Sequence, residues 1–248
     1  DLIICENPKH SIKLLNKLGI KKKLISLHDY NEETVINKIS KYQYNSKIGL
    51  ISDAGSPLIS DPGFNLVKNF ISNKIMITSI PGPSSLIVGL QISGLPLNKF
   101  AFYGFVPKHK GKRKLFLEEI ATSQLTSVFF VSGKHLENLV NNIVELFGMR
   151  KISICKELTK LNEAVFRGTA IDMYKIIKEK NLNLKGEFVV VVSASPKRNK
   201  RQLNTKIQIQ INKLLKKYSL TETVQIVHNL TEISKKDIYN MAVKIQND

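Results

Sequence analysis

The sequence predicts an α/β protein with mainly parallel sheets, arranged as two α/β domains and a small C-terminal helical extension. Three observations predict this fold class. Short apolar runs of strand length alternate with segments in which apolar residues recur at helical spacing. Gly and Pro follow several of these runs and mark loops. Beyond residue 195 only the helical pattern continues. Strands that alternate with helices imply parallel pairing.

The first domain is predicted over residues 1–97. Pro8 to Leu18 has apolar residues at helical spacing and precedes Gly19, a residue favoured just beyond helix ends. Asn31 is expected to cap the next helix. The predicted strands are Leu24 to Leu27, Lys47 to Ile51 and Ile75 to Ile80.

The second domain is predicted over residues 98–195, and the helical extension over 196–248. Ser195 to Arg201 is a basic linker, and Leu203 to Tyr218 is the first helix beyond it. Capping boxes at Ser219 and Ser234 begin two more helices. The strands of the second domain are Phe100 to Gly104, Thr126 to Val131, Lys151 to Cys155 and Glu187 to Ser193, and its helices are Lys112 to Ala121, His135 to Phe147 and Ile171 to Lys180.

Two loops carry most of the functional signal, residues 52–63 and residues 81–85. Their glycines, Gly55, Gly63 and Gly82, let the backbone approach a ligand closely, and their prolines fix the loop shape in advance. In α/β sheets the ligand crevice lies beyond the carboxyl ends of the strands, where both loops fall. One such loop alone could equally be an ordinary turn. The pair favours a binding site.

The formal net charge of +18 predicts attraction to a polyanion, and nucleic acid is the obvious candidate. Basic runs occur at residues 21–23, 108–114, 197–201 and 213–217. A lysine-rich chain can also carry such runs as ordinary solvated surface. The run at 108–114 is the strongest candidate, because it is predicted on a loop beside the ligand crevice.

No apolar run approaches the roughly 20 residues that span a bilayer, which predicts a cytoplasmic protein with no membrane partner. Cys5 and Cys155 lie in apolar runs, which favours buried thiols over a disulfide. Neither the cysteines nor the five histidines have metal-site spacing, so no metal is predicted.

The most specific motif is the segment from Gly49 to Gly63, which contains the string DAGSPLISDPG. On this segment and on later motifs in the same order, the chain resembles the tetrapyrrole methylase superfamily and, within it, the ribosomal RNA small-subunit methyltransferase I branch. The later motifs are Pro81 to Ser85, Gly94 to Pro96, Tyr103 to Pro107, Lys108 to Lys114, Lys156 to Lys160 and Phe166 to Thr169.

This resemblance implies that S-adenosylmethionine binds in a crevice between the two α/β domains of the chain. It also implies that the protein forms a homodimer. Residues of the first loop would line the cofactor's methionine and ribose parts, and those of the second loop would hydrogen-bond to it. Two more residues would flank the adenine or the sulfonium through backbone groups. In that order, the implied cofactor residues are Ala54, Gly55, Ser56 and Ile59, then Ser84 and Ser85, then Ser132 and Leu158.

The resemblance also implies methyl transfer to the 2′-hydroxyl of a cytidine in 16S rRNA, free or within the small ribosomal subunit. A hydroxyl nucleophile must lose its proton, and Asp53 and Glu157 are the candidate catalytic bases. A loop cap for Asp53 and an ion pair for Glu157 are equally open interpretations. The residues expected to contact RNA phosphates are Lys108, Lys110, Lys112, Arg113 and Arg167.

The sequence departs from the family pattern in three places. It opens at Asp1 to Glu6, which resembles the family's second strand, so roughly 30 residues of the pattern are expected to be missing, either from a fragment or from a shortened gene. Glu6 to His10 and Val131 to His135 also differ from the pattern. These two differences weaken the substrate contacts expected there and the assignment of Ser132.

Two other functions stay open at this point. A small-molecule methylase acting on a tetrapyrrole would share the fold, but an acidic macrocycle requires neither dispersed basic runs nor a helical extension. A noncatalytic RNA-binding protein is the other alternative, because of the missing first strand. The charge, the basic run at 108–114 and the helical extension favour the RNA ribose methyltransferase.

Overall fold

The computed structural model describes residues 1–42, 46–179, 184–196, 205–231 and 233–247. Its contacts divide the chain into two compact units, Asp1–Ala194 and Ser195–Asp248. Both sheets belong to the first unit. The further division of that unit near residue 97 stays a prediction.

A three-stranded parallel sheet opens the first unit, with the strand order β2-β1-β3. Its elements are β1 (Leu2–Cys5), α1 (Pro8–Lys17), β2 (Lys23–Ser26), α2 (Glu32–Ile39), a 3₁₀ turn (Ser40–Tyr42), β3 (Ile48–Ile51) and α3 (Phe64–Ser72). The core includes Ile4, Leu27, Val35 and Leu66. Because the strands are parallel, their carboxyl ends share one edge, and residues 52–63 begin there.

The prediction of a buried strand over Ile75 to Ile80 is wrong. These residues have irregular backbone, and Met76 and Ile80 are 93% and 90% exposed. An apolar run becomes a strand only beside an edge that accepts its hydrogen bonds. In the part of the chain that the structure describes, β3 pairs with β1 alone, so this run has no strand partner.

The rest of the first unit is built on a five-stranded sheet with the order β4-β5-β8-β6-β7. Its elements are α4 (Ser85–Ser93), β4 (Phe100–Phe105), α5 (Lys110–Thr122), β5 (Thr126–Ser132), α6 (Gly133–Phe147), β6 (Lys151–Lys156), β7 (Ala164–Thr169), α7 (Ala170–Glu179) and β8 (Glu187–Val192). The valine run of β8 lies in the middle strand, where both faces are buried.

The five-stranded sheet is mixed rather than mainly parallel. β4 and β5 are parallel, whereas β8 is antiparallel to β5 and β6, and β7 is antiparallel to β6. A parallel connection needs about a dozen residues or more, and residues 157–163 between β6 and β7 are too few. The strand β7 was not predicted, because Arg167 and Gly168 interrupt its apolar pattern.

Helices cover both faces of this sheet. α5, α6 and α7 pack on one face around Phe129 and Val190. α4 packs on the other face around Val128 and Val189. The backbone of α4 lies close to the sheet at Gly89, since a Cβ added there would lie only 2.7 Å from Val189 Cγ1. The helix that begins at the second loop is therefore fixed to the second sheet.

The second unit contains α8 (Thr205–Leu215), α9 (Leu220–Thr231) and α10 (Lys235–Asn247). Its core includes Ile211, Val224 and Ile238. The capping box at Ser219 is confirmed, because Ser219 N–H donates to Glu222 Oε2 (2.9 Å) and Glu222 N–H donates to Ser219 Oγ (3.3 Å). The predicted basic run at 197–201 and the start of the helix predicted from Leu203 lie outside the described residues.

Among the helices that the structure describes, none combines the length and the apolar character needed to cross a membrane.

Candidate active site

The loop at residues 52–63 follows β3 and has an unusual backbone. Gly55 has φ +76°, and Leu58 and Ser60 also have positive φ, at +71° and +67°. Positive φ in residues other than glycine costs on the order of 1–3 kcal/mol each and is concentrated at ligand sites. The conformation of this loop therefore favours a binding role over an ordinary turn.

Few internal hydrogen bonds occupy the backbone of this loop. Ser52 Oγ donates to the carbonyl of Gly55 (3.1 Å), and Ile59 N–H donates to the carbonyl of Ser56 (3.4 Å). Ala54, Gly55 and Ile59 are exposed, and Ser56 is half-buried. The four predicted cofactor residues of this loop are therefore accessible, and the backbone donors around them are available to a ligand.

Glu32 holds the far end of the loop. Its buried carboxylate accepts hydrogen bonds from Gly63 N–H (2.6 Å) and Asn65 N–H (2.8 Å). A carboxylate at a helix N-terminus satisfies free backbone donors and interacts favourably with the helix dipole. Gly63 has φ +126°, and a Cβ added there would lie 3.2 Å from Leu50 Cδ2. The loop therefore ends at a fixed point.

Three carboxylates lie close together at this sheet edge: Glu6 after β1, and Asp53 and Asp61 in the loop. Burial, then the neighbouring Glu6, raises the pKa of Asp61 to about 6. Asp53 and Glu187 add to this rise, and a hydrogen bond with Ser52 opposes it. Asp61 therefore changes its charge close to neutral pH.

Asp53 is the predicted base of this loop. Its Oδ1 atom is buried and has no hydrogen-bond partner among the described residues. The His10 ring is nearby, with Nδ1 3.4 Å from that oxygen, but the two atoms do not form a hydrogen bond. The oxygen is thus an acceptor without a donor.

The loop at residues 52–63 also faces the second sheet. A Cβ added at Gly104, near the end of β4, would lie 3.9 Å from Ser60 Oγ. Glu187, at the start of β8, is close enough to Asp61 to raise its pKa. The loop and this end of the five-stranded sheet therefore form the two sides of one crevice.

The second predicted loop lies at the start of α4. Ser84 occupies the N-cap position without a side-chain capping hydrogen bond, and Ser85 is the first helical residue. Both are half-buried, whereas residues 81–83 are exposed. The Ser84 hydroxyl thus stands at a helix N-terminus without capping it.

The two other predicted cofactor residues lie at the same edge of the second sheet, at the carboxyl ends of the two strands that flank β8. Ser132 ends β5 and is the N-cap of α6, again without a side-chain cap. Leu158 follows β6, is 6% exposed and packs beneath α4. Its neighbours Glu157 and Thr159 both have positive φ, which sets the direction of its backbone.

Glu157 is engaged in structural contacts. Its Oε1 atom accepts from Glu187 N–H (2.8 Å) and from Lys160 Nζ (3.2 Å). The backbone hydrogen bond from Glu187 lowers the pKa of Glu157. Burial opposes this effect, and the contacts with Lys160 lower the pKa further. The geometry favours the ion-pair interpretation, and the catalytic role stays a prediction.

The basic residues expected on a loop lie mostly on a helix, because α5 begins at Lys110. Lys108, Lys110 and Lys112 are exposed, and no acidic residue occupies the first turn. Arg113 Nη1 donates to the carbonyl of Lys108 (3.2 Å). Cations at a helix N-terminus oppose the helix dipole, so this arrangement favours a bound anion.

Arg167 lies away from this basic helix start. It is exposed, and its Nε atom donates to the carbonyl of Ile92 at the end of α4 (2.9 Å). This contact caps the C-terminal end of α4, whereas Ser84 and Ser85 lie at its N-terminal end. The guanidinium is thus partly used in structure, and its phosphate-binding role stays a prediction.

Comparison with known proteins identifies the family. The model for tetrapyrrole (corrin/porphyrin) methylases matches residues 1–173, which is more than half of the chain. The chain belongs to the tetrapyrrole methylase family.

Relatives place this methylase more narrowly. A protein from Halalkalibacterium halodurans is 33% identical over 247 residues, which cover 97% of this chain and 85% of the relative. A protein from Rickettsia prowazekii is 35% identical over 251 aligned positions, and the alignment covers 98% of this chain and 87% of the relative. Both are named ribosomal RNA small subunit methyltransferase I. The predicted resemblance to that branch is confirmed.

Solved structures share the fold of the methylase. Diphthine synthase has a TM-score of 0.55 at 12% identity, over 78% of this chain and 79% of that chain. The methyltransferase CobJ has a TM-score of 0.52 at 12% identity, over 78% of this chain and 93% of that chain. The predicted tetrapyrrole methylase-like α/β fold is confirmed.

The residues of the methylase fit a polar cofactor such as S-adenosylmethionine. The 52–63 loop offers free backbone donors, and Asp53 offers a buried acceptor without a donor. A small cavity lined by Glu6, Leu27 and Asp61 lies under the loop. Ligand pockets span about 300–1,000 Å³, so a cavity this small would leave the cofactor in the open crevice.

Sequence reasoning missed two residues of this site, Glu32 and Asp61. Asp61 lies in the same motif as Asp53, and two carboxylates in one short loop are a signal for a raised pKa. Glu32 gave no such signal, because its partners Gly63 and Asn65 are remote in sequence and offer only backbone groups.

Proposed function

We propose that this methylase transfers the methyl group of S-adenosylmethionine to the 2′-hydroxyl of a cytidine ribose in 16S rRNA. The observation that carries the RNA substrate is the basic start of α5, which follows the end of β4 that approaches the 52–63 loop at Gly104. The names of the relatives support ribosomal RNA of the small subunit as the substrate.

The cofactor residues are those of the two loops. Backbone donors of Ala54, Gly55 and Ser56 would hold its carboxylate and ribose beside Ile59, and the Ser84 and Ser85 hydroxyls would reach it from the start of α4. Ser132 and Leu158 would contribute backbone groups from the second sheet. When bound, S-adenosylmethionine supplies a methyl group that is already activated by a sulfonium.

The crevice offers two carboxylates that could accept the proton of the ribose hydroxyl. Asp53 has the buried free oxygen, and Asp61 lies beside it with a pKa near 6. A base with such a pKa is ionised at neutral pH and still binds a proton readily. Glu157 is less suited, because Glu187 and Lys160 already stabilise its ionised form.

Phosphates of the RNA would lie along Lys108, Lys110, Lys112 and Arg113. The three lysines are exposed. They lie at or beside the N-terminus of α5, which is itself a favourable position for a bound anion. Arg167 would require a shift away from Ile92 before it contacted a phosphate. We also propose that the C-terminal helical unit contacts RNA, that the enzyme works as a homodimer, and that it acts in the cytoplasm.

The first test is a pair of assays on the same protein. Calorimetric titration with S-adenosylmethionine should give saturable micromolar binding. Transfer of labelled methyl groups should then reach small ribosomal subunits or free 16S rRNA and not a tetrapyrrole macrocycle. Labelled tetrapyrrole would support the small-molecule alternative, and RNA binding without cofactor binding would support the noncatalytic one.

A further inference from the structure

Phe105 is a large aromatic side chain exposed at the edge of the crevice. Its side chain is 54% exposed at the end of β4, just before the basic residues of α5. The next residue, Val106, is 7% exposed, and its N–H donates to the carbonyl of Phe130 (2.9 Å). The backbone beside Phe105 is therefore anchored, and the ring is not part of a loose terminus.

A β-bulge determines the direction of this ring. Phe102 pairs with Val128 and Phe105 pairs with Phe130, so three steps along β4 match two steps along β5. The irregularity includes Gly104, whose φ is +66°. Bulges next to active sites commonly redirect a side chain to the other face of the sheet.

The bulge moves Phe105 out of the core. Tyr103 packs against Phe116 on the face covered by α5, and regular alternation would place Phe105 on that same face. Instead, the Phe105 ring lies 5.2 Å from the Phe130 ring, on the face that also carries Phe102. The fold thus exposes an aromatic ring that a regular strand would have buried.

This face is the side of the crevice that meets the 52–63 loop. Gly104 links the two, because a Cβ added there would lie 3.9 Å from Ser60 Oγ. On the other side, the chain continues directly to Lys108 and Lys110. The ring therefore lies between the proposed cofactor loop and the proposed phosphate contacts.

We infer that Phe105 is a stacking platform for an unpaired nucleobase of single-stranded RNA, which holds the attached ribose at the 52–63 loop. The inference rests on the proposed function and adds the conformation of the substrate, a nucleotide outside a duplex. An aromatic ring stacks on the face of any base, and adjacent lysines hold the flanking phosphates. Bases inside a duplex have no free face for this contact.

Tryptophan fluorescence can test the contact directly, because the sequence has no tryptophan. The variant Phe105→Trp carries a single reporter at the platform. We expect a single-stranded oligoribonucleotide that contains cytidine to quench its emission, and the same strand in a duplex to quench it much less. Phe100→Trp is the matched control, since Phe100 is 41% exposed at the opposite end of β4 and should not be quenched.

A substitution series measures the contribution to binding. Phe105→Leu keeps an apolar side chain but loses the ring, and should weaken binding of the oligoribonucleotide about 5- to 100-fold. Phe105→Tyr should bind like the unchanged protein. Affinity for S-adenosylmethionine should be the same in all three proteins, which separates this role from damage to the cofactor loop.

Three results would overturn the inference. They are equal quenching of both tryptophan reporters, undiminished RNA binding by Phe105→Leu, and dissociation of a dimer by Phe105→Leu in sedimentation, which would assign the ring to a subunit interface. If the unchanged protein methylates small subunits while Phe105→Leu behaves identically, only this inference fails. If the unchanged protein neither binds nor methylates RNA, the proposed function fails with it.

Discussion

The buried carboxylate of Glu32 accepts a hydrogen bond from the backbone N–H of Gly63, with an O···N distance of 2.6 Å. Its second oxygen accepts from Asn65 N–H, 2.8 Å away. One side chain at the start of α2 thus determines where the 52–63 loop ends and where α3 begins. Because the loop carries four residues with positive φ, Gly55, Leu58, Ser60 and Gly63, this anchor helps to hold it in a strained conformation.

Replacement of Glu32 tests that anchor. Glu32→Ala leaves two buried N–H groups without an acceptor and should lower the free energy of unfolding by about 3 kcal/mol. Glu32→Gln keeps one acceptor and should lose about half as much. Denaturant unfolding measures both, and Glu33→Gln is the control, because Glu33 is exposed on the same helix turn. Equal stability of Glu32→Ala and Glu33→Gln would contradict the anchor.

A second prediction concerns Gly55 in the proposed cofactor loop. Gly55→Val should reduce binding of S-adenosylmethionine at least tenfold, because the side chain would fill the space along the exposed loop backbone. Gly19→Val is a matched control. Gly19 has φ +68°, close to the +76° of Gly55, and neither glycine has an atom within 4 Å of an added Cβ.

The two variants should therefore lose similar amounts of stability from backbone strain. Calorimetric titration should show the loss of cofactor affinity in Gly55→Val alone. Unchanged affinity in a folded Gly55→Val protein would remove the 52–63 loop from the cofactor site.

A third prediction concerns the lysines near the start of α5. Replacement of Lys108, Lys110 and Lys112 by Ala should lower RNA affinity and reduce the slope of log K against log salt by about 2, since each phosphate contact contributes roughly 0.7–0.9. Binding should be measured over a range of salt concentrations. The control replaces Lys21, Lys22 and Lys23, which are exposed at the start of β2. If the slope is the same in both triple variants as in the unchanged protein, both runs are solvated surface.

A fourth prediction concerns the charge of Asp61. Its pKa is raised from 3.8 to about 6 in the folded protein, so the folded state holds the proton more tightly than the unfolded chain. Between these values the folded protein binds more protons, and this group's contribution to stability falls as pH rises. Asp61→Asn should lack this component and should gain stability relative to the unchanged protein as pH rises from about 4 to 6.

Thermal unfolding of both proteins across that pH range measures the difference. A constant difference in unfolding temperature from pH 4 to pH 7 would show that Asp61 titrates normally. The same variant also tests the proposed base, because methyl transfer by the unchanged protein should rise through about pH 6 if Asp61 accepts the proton.

Sequence patterns predicted most of the secondary structure, because local spacing encodes it. The helix at Pro8 and the capping box at Ser219 depend on neighbouring residues and were confirmed. The run Ile75 to Ile80 was misassigned, because an apolar pattern does not reveal whether a strand edge is available. β7 was missed because its pairing with β6, rather than its own composition, makes it a strand.

The site was predicted unevenly for the same reason. Gly and Pro motifs identified the 52–63 loop, since conformational requirements are visible in residue type. The anchoring role of Glu32 depends on contacts with residues that are remote in sequence. The direction of the Phe105 ring depends on a bulge between β4 and β5. No local sequence pattern contains either feature. The start of α5 was placed two residues late, which moved Lys110 from the helix to a loop.

Nucleoside analysis tests the central claim most directly. The protein would be incubated with small ribosomal subunits and S-adenosylmethionine carrying an isotopically labelled methyl group, and the 16S rRNA would be digested and examined by mass spectrometry. The proposed function predicts the label on the ribose of a cytidine. Label on a base, label on other nucleosides, or no label from a protein that binds the cofactor would contradict it.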